Sequence, residues 1–120
     1  MKVNPLCVGR IGESIAAEYL HKKRYHIIEC NYRTRYAEID LIARKKSLLV
    51  FIEVKTRVGE RFGSPEEAIR RDKLYRLVKN AQAYIARRGH TKEYRIDAVC
   101  VVLDKNNCLK RIGHYENITL

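Results

Sequence analysis

The sequence predicts an α/β sandwich, a mixed β-sheet flanked by helices in the order αβββαββ, and three features of the chain predict it. Residues 48–56 and 95–103 are apolar, β-branched runs of the kind that form buried strands. Residues 8–23 and 64–88 place apolar side chains at spacings of three and four, the helical period. Residues 25–32 and 37–43 alternate polar and apolar side chains between short polar turns, as half-buried strands do.

Composition bounds what such a chain does. At 120 residues it fits one domain, 1–120, and is too small for two separate cores. Hydrophobic content of 46% with 32% charged residues excludes a disordered chain. The net charge of +11 calls for a polyanionic partner, of which nucleic acid is the commonest. An anionic membrane surface is the rival partner, but no run reaches the roughly 18 apolar residues that span a bilayer. Residues 1–6 lead straight into an amphipathic pattern without a secretory signal, so a cytoplasmic location is expected. Cys7, Cys30, Cys100 and Cys108 form no Cys-x-x-Cys pair, and nearby histidines lack ligand spacing. That argues against zinc and for buried free thiols.

In the first helix Val8, Ile11, Ile15, Ala16, Tyr19 and Leu20 share one stripe, and Glu13 lies off it. On its own Glu13 reads as a solvated acid favoured by the helix dipole. The cations of 21–24 close the helix at its negative end, and strand 25–32 follows with Ile27 and Cys30 facing inward. Arg33-Thr34-Arg35-Tyr36 is a basic turn. It reads either as a solvated hairpin tip or as a phosphate contact in which Tyr32 or Tyr36 packs on sugar or base.

The next two strands carry the chemistry. Strand 37–43 and strand 48–56 are joined by the turn 44–47 and form an antiparallel hairpin. Adjacent strands lie about 5 Å apart, so Asp40 and Glu53 can converge on one hard cation. The period of two puts Phe51, Glu53 and Lys55 on one face. Burying two charges inside an apolar strand costs several kcal/mol each unless a partner, metal or water meets them. Two carboxylates with a backbone carbonyl and waters make a Mg²⁺ site. A hairpin salt-bridged from Lys55 to Glu53 or Asp40 is the alternative.

Residues 57–63 read as a glycine-punctuated mobile loop from which Arg57 reaches a phosphate. Ser64-Pro65-Glu66-Glu67 gives an N-cap Ser, Pro at the first helical position and Glu three residues after the cap. The helix they open should stop at Gly89, burying Ile69, Leu74, Leu77, Val78, Ala81, Tyr84 and Ile85. Its other side, including Arg70, Lys73, Arg76 and Lys79, is a solvated basic face or lies along a nucleic-acid backbone. Strand 95–103 is central or next to central, and Asp97 at its start is expected to hold Arg95 or a neighbouring arginine in place, with a site carboxylate as its alternative role. Strand 108–114 is the sheet edge.

A set of blocks recurs in order: Gly9-Arg10-Ile11-Gly12-Glu13, Asn31-Tyr32-Arg33, Glu38-Ile39-Asp40-Leu41-Ile42-Ala43, Val50-Phe51-Ile52-Glu53-Val54-Lys55-Thr56-Arg57, Phe62-Gly63-Ser64-Pro65 and Arg95-Ile96-Asp97-Ala98-Val99. Together they resemble the YraN family of small bacterial proteins, within the PD-(D/E)xK nuclease superfamily and similar to archaeal-type Holliday junction resolvases. The resemblance spans residues 9–118, with Ala37 standing where the family usually has Gly. It implies a restriction-endonuclease-like core and a Mg²⁺- or Mn²⁺-dependent endonuclease that hydrolyses phosphodiester bonds of DNA, branched or recombination intermediates among them. Glu13, Asp40, Glu53 and the Val54 carbonyl would hold the metal, and Lys55 would attend the attacking water. Lys73 joins Arg33, Arg35, Arg57 and Arg76 as a nucleic-acid contact, and a homodimer is implied. A non-catalytic nucleic-acid-binding module with the same fold remains the alternative; it accounts for the positive charge but not for the acidic trio.

Overall fold

The computed structural model describes residues 11–59, 69–89 and 93–119. They form a five-stranded sheet whose strands follow one another in sequence order. The strands are β1 (His26–Arg33), β2 (Glu38–Lys45), β3 (Leu48–Val58), β4 (Tyr94–Leu103) and β5 (Leu109–Tyr115). Helix α1 (Ile11–Lys22) precedes β1, and α2 (Arg71–Arg88) lies between β3 and β4 in the chain. Neighbouring strands are antiparallel except β3 and β4, which pair in parallel. A parallel pair needs a long crossover connection, and α2 sits in that connection. The result is the expected αβββαββ order, a mixed sheet flanked by helices consistent with a restriction-endonuclease-like sandwich.

Alternation along β3 divides the core in two. Val50, Ile52 and Val54 pack with Ala16, Ala17 and Leu20 of α1. Leu49 and Phe51 pack with Leu77, Ala81 and Tyr84 of α2. The two helices therefore cover opposite faces of the sheet. β4 is buried along most of its length and lies next to the central strand, which explains its unbroken apolar run. Asp97 within it is fully buried and accepts two hydrogen bonds from Arg95, at 2.8 and 2.9 Å. It also accepts the Asn117 N–H at 3.0 Å and lies 2.8 Å from His114 Nε2, so it ties β4 to β5 and the segment beyond.

Several boundaries differ from expectation, each for a physical reason. Ile11 is 51% exposed, whereas Glu13 is 5% exposed and Gly12 is buried. Large apolar residues placed the predicted stripe off centre, because the depth of contact is set by the small residues Gly12, Ala16 and Ala17. A Cβ on Gly12 would stand 1.8 Å from Thr56 Oγ1, so a glycine is what lets the first turn of α1 meet β3. β3 continues through Arg57 and Val58 because β4 pairs with them, and the Gly59 N–H donates to the Leu103 carbonyl at 3.0 Å. The rest of the predicted loop, 60–63, lies outside the described residues.

Arg70 is extended (φ −78°, ψ 159°), so the second helix is not continuous from Ser64 and starts at Arg71. The start signals at 64–67 also lie outside the described residues. Its end is as expected, with Gly89 left-handed at φ 69° and its N–H turned back to the Ile85 and Ala86 carbonyls. The β2–β3 turn is tighter than predicted, since Lys45 already pairs with Leu48. Cys100 is a buried free thiol and Cys108 an exposed one, whereas Cys30 is disulfide-bonded, against the expectation of a free thiol.

Gly12→Ala is expected to cost about 1–3 kcal/mol of stability in urea unfolding, the usual penalty of overpacking. Adding Thr56→Ala removes the nearest clashing atom and should recover part of that loss.

Candidate functional site

The β2–β3 ladder ends at Leu41 and Ile52, so Asp40 and Glu53 occupy the next step of the register. There the Val54 N–H donates to Asp40 Oδ2 at 2.8 Å, and a side chain replaces the backbone partner. A cleft of about 940 Å³ opens at this fork. Glu13 enters it from α1, Glu38 and Asp40 from β2, Glu53, Val54 and Lys55 from β3, and Lys73 and Arg76 from α2.

A break in strand alternation lets carboxylates from both faces meet. Ile39 packs on the α2 side but Leu41 on the α1 side, although two residues apart in a regular strand share a face. Their partners in β1 do the same: Tyr32 packs toward α2 and Cys30 toward α1. The break therefore falls at Asp40 and at Asn31 opposite it, where Asn31 takes a left-handed φ of 55°. Asparagine tolerates that conformation better than most residues. Glu13 thus reaches Asp40 from the α1 side while Glu53 faces α2.

One oxygen each of Glu13, Glu38 and Asp40 lie within 4.8 Å of one another. Asn31 Nδ2 spans two of them, donating to Glu13 Oε1 at 3.1 Å and to Glu38 Oε2 at 2.6 Å. Glu53, next to this group, is engaged by amines. Its Oε2 accepts from Lys73 Nζ at 2.5 Å and lies 3.6 Å from Lys55 Nζ.

The charges strain one another. Asp40 is pushed up from 3.8 to about 7 by burial and by the charge of Glu53, with Glu13 and Glu38 adding to it against the Val54 N–H. Lys55 is pushed down by burial and by the charge of Lys73, with Glu53 opposing. Burial also presses Lys73 downward, but the hydrogen bond and charge of Glu53 outweigh it and its pKa is raised.

Of the residues singled out from sequence, Glu13, Asp40, Glu53, Val54, Lys55, Lys73 and Arg76 line this cleft. Arg33 instead pairs with Glu38 at 3.1 Å. Arg35 is exposed over the Tyr36 ring, and Arg57 is half-buried farther along β3. Tyr32 is turned inward, edge-on to Tyr84 with ring centroids 5.1 Å apart, so of the two tyrosines only Tyr36 faces solvent. Glu38 and Asn31 were not singled out as ligand and clamp. The signal for Glu38 was its i, i+2 spacing from Asp40 within one strand.

The fold and cleft define an α/β protein with carboxylates and amines gathered at the fork of a hairpin. The chain belongs to the uncharacterised protein family UPF0102, which its residues 12–101 match. It is 45% identical over 119 residues to the UPF0102 protein of Caldanaerobacter subterraneus subsp. tengcongensis, covering 97% of both chains. It is 44% identical over 111 residues to that of Alkaliphilus metalliredigens, covering 92% of this chain and 94% of the relative. With that of Flavobacterium psychrophilum the identity is 37% over 110 residues, covering 92% and 91%. Among the described residues no helix is long and apolar enough to cross a membrane.

Because the Asp40 carboxyl keeps its proton in the folded chain to about pH 7, while the unfolded chain releases it near pH 4, metal-free stability should fall as pH rises across that window. The expected loss is about 2–4 kcal/mol, at 1.36 kcal/mol per pKa unit less screening. Asp40→Asn keeps an oxygen for the Val54 N–H and should flatten the pH 4–7 profile in chemical denaturation. Asp97, held below its usual range by hydrogen bonds from His114, Arg95 and Asn117 despite its burial, acts only below that window.

Proposed function

We propose that the protein is a metal-dependent endonuclease that hydrolyses phosphodiester bonds of DNA, with branched or recombination intermediates among its substrates. The observation that carries this reading is the cluster of Glu13, Glu38 and Asp40 beside two amines, within a chain of net charge +11. Carboxylates turned toward a phosphate repel it unless a cation intervenes. An all-oxygen donor set suits a hard cation such as Mg²⁺ or Mn²⁺. The raised Asp40 fits as well, since its proton occupies a place that a cation would take over.

Glu13, Glu38 and Asp40 would hold the ion, with Glu53 and Val54 adjoining. A divalent cation bound there would supply Lewis-acid chemistry, polarising the scissile phosphate and lowering the pKa of a nearby water. Lys55, beside Glu53, is suited to hold the attacking water or to counter charge growing on the phosphate. Lys73 stays charged and can counter charge growing on the phosphate. Arg76, at the rim, is placed for a flanking phosphate. Cutting both strands of a junction needs two such clefts at a fixed separation, so a homodimer belongs to the proposal, as does a cytoplasmic location. A non-catalytic binding module explains the positive charge but leaves the clustered carboxylates without a purpose.

Flapped, branched and single-stranded DNA incubated with Mg²⁺ or Mn²⁺ should be cut, and not cut in EDTA. Asp40→Asn and Glu53→Gln should each lower the rate more than about a hundredfold. Asn31→Ala, which unties Glu13 from Glu38, should cost about ten- to hundredfold, the range for an outer partner of a metal ligand. Full activity in Asp40→Asn would refute the assignment of that carboxylate.

A further inference from the structure

Two exposed tyrosines, Tyr36 in the lining of the cleft and Tyr75 next in sequence to the cleft-lining Arg76, each have a cation over the ring. Tyr36, in the β1–β2 turn, is 38% exposed, and Tyr75, in the second turn of α2, is 62% exposed. The Arg35 guanidinium lies 5.3 Å from the Tyr36 ring centroid, and Lys79 Nζ lies 5.5 Å from that of Tyr75. A single exposed aromatic needs no explanation. Two of them with interleaved cations, opening onto an acidic cleft, do.

The turn that carries Tyr36 is built onto α2. Asn80, fully buried, accepts a hydrogen bond from Thr34 Oγ1 at 2.8 Å and donates Nδ2 to the Ala37 carbonyl at 2.7 Å. The Thr34 hydroxyl in turn accepts the Tyr36 N–H at 3.1 Å. On α2, Tyr75, Arg76 and Lys79 share one exposed stripe at helical spacing. The two elements are close enough for their charges to meet. The Tyr36 phenol is drawn below its usual pKa by the hydrogen bond and charge of Arg35, and also by the charge of Lys79. Tyr36 and Arg76 both line the cleft, so this ledge leads into it. Asp72, on the same stripe, engages Arg76 at 3.6 Å in an exposed pair, which is weak enough for a phosphate to compete with it.

We infer that this ledge is a landing surface for the unpaired bases of a single-stranded DNA segment, with Tyr36 and Tyr75 stacking on bases and Arg35, Arg76 and Lys79 taking phosphates. The inference rests on the proposed nuclease reading and narrows its substrate to DNA with a single-stranded arm or gap at the cut. Base faces within a duplex are covered by their neighbours, so away from duplex ends exposed rings stack on unpaired bases, whereas phosphate contacts alone would serve duplex equally well.

Fluorescence anisotropy in EDTA, which removes cleavage and divalent ions together, tests it with a labelled oligothymidylate and a blunt duplex. The wild-type chain should prefer the single strand. Tyr36→Ala with Tyr75→Ala should weaken single-strand binding at least about tenfold, from the 1–3 kcal/mol that each stacked base contributes. Tyr36→Phe with Tyr75→Phe, which keeps the rings, should bind as the wild type does, and duplex affinity should be unchanged in both. Equal losses on duplex and single strand, or no loss in the alanine variant, overturn the ledge. Its failure is separable from that of the nuclease reading. Mn²⁺ titration of the alanine variant follows the carboxylates without the ledge, and oligonucleotide binding in EDTA follows the ledge without a metal.

Discussion

Val54 gives its N–H to the Asp40 carboxylate at the point where β2 and β3 stop pairing, and the arrangement of the cleft follows from that bond. Had the ladder continued, the backbone of β2 would occupy the space into which Glu13, Glu38 and Glu53 point. The side chain both ends the ladder and lines the opening. Its position, nearly buried among three other carboxylates, is electrostatically costly, which is why Asp40 holds its proton so far above the usual range. Each neighbouring group answers part of that cost. Asn31 bridges Glu13 and Glu38, Lys73 and Lys55 attend Glu53, and Asp40 is left with a single backbone donor among the described residues.

The break in alternation at Asn31 and Asp40 allows this convergence. Glu13 belongs to a helix on one face of the sheet and Glu53 points toward a helix on the other. A regular sheet would keep them apart. The left-handed Asn31 marks the twist on β1, and the same residue's amide then serves the cluster, so one asparagine has a backbone and a side-chain role. Gly12 has a comparable double importance, because the close approach it permits sets where the neighbouring Glu13 stands.

Much of this was legible in the sequence. The buried strands announced themselves as β-branched runs, and the α2 C-terminus by Gly89. The place of Phe51, Glu53 and Lys55 on one face followed from the period of two, and Phe51 does pack toward the helix whose Lys73 meets Glu53. The expectation that Asp97 holds an arginine also matches its bonds to Arg95. What stayed hidden depends on contacts between elements distant in sequence. Of the predicted α1 stripe, Ile15, Ala16, Tyr19 and Leu20 pack in the core and Ile11 does not, while Gly12 and Ala17 fell outside it because they carry little hydrophobic signal yet set the approach distance. Lys73 was singled out by the resemblance as a basic residue near the site, but its direct bond to Glu53 was not, since no local pattern tells which carboxylate a helix lysine meets. Asn31 joins the site through a backbone irregularity that strict alternation does not foresee, and the i, i+2 spacing of Glu38 from Asp40 does not by itself tell a ligand from a solvated acid.

The proposed endonuclease depends on a divalent cation held by the oxygens of Glu13, Glu38 and Asp40. Anomalous diffraction from crystals soaked in Mn²⁺ tests this most directly. A peak among those three side chains, lost in Asp40→Asn crystals, is the predicted result. A fully occupied Mn²⁺ elsewhere with the cluster vacant, or no peak at saturating Mn²⁺ near neutral pH, would contradict it.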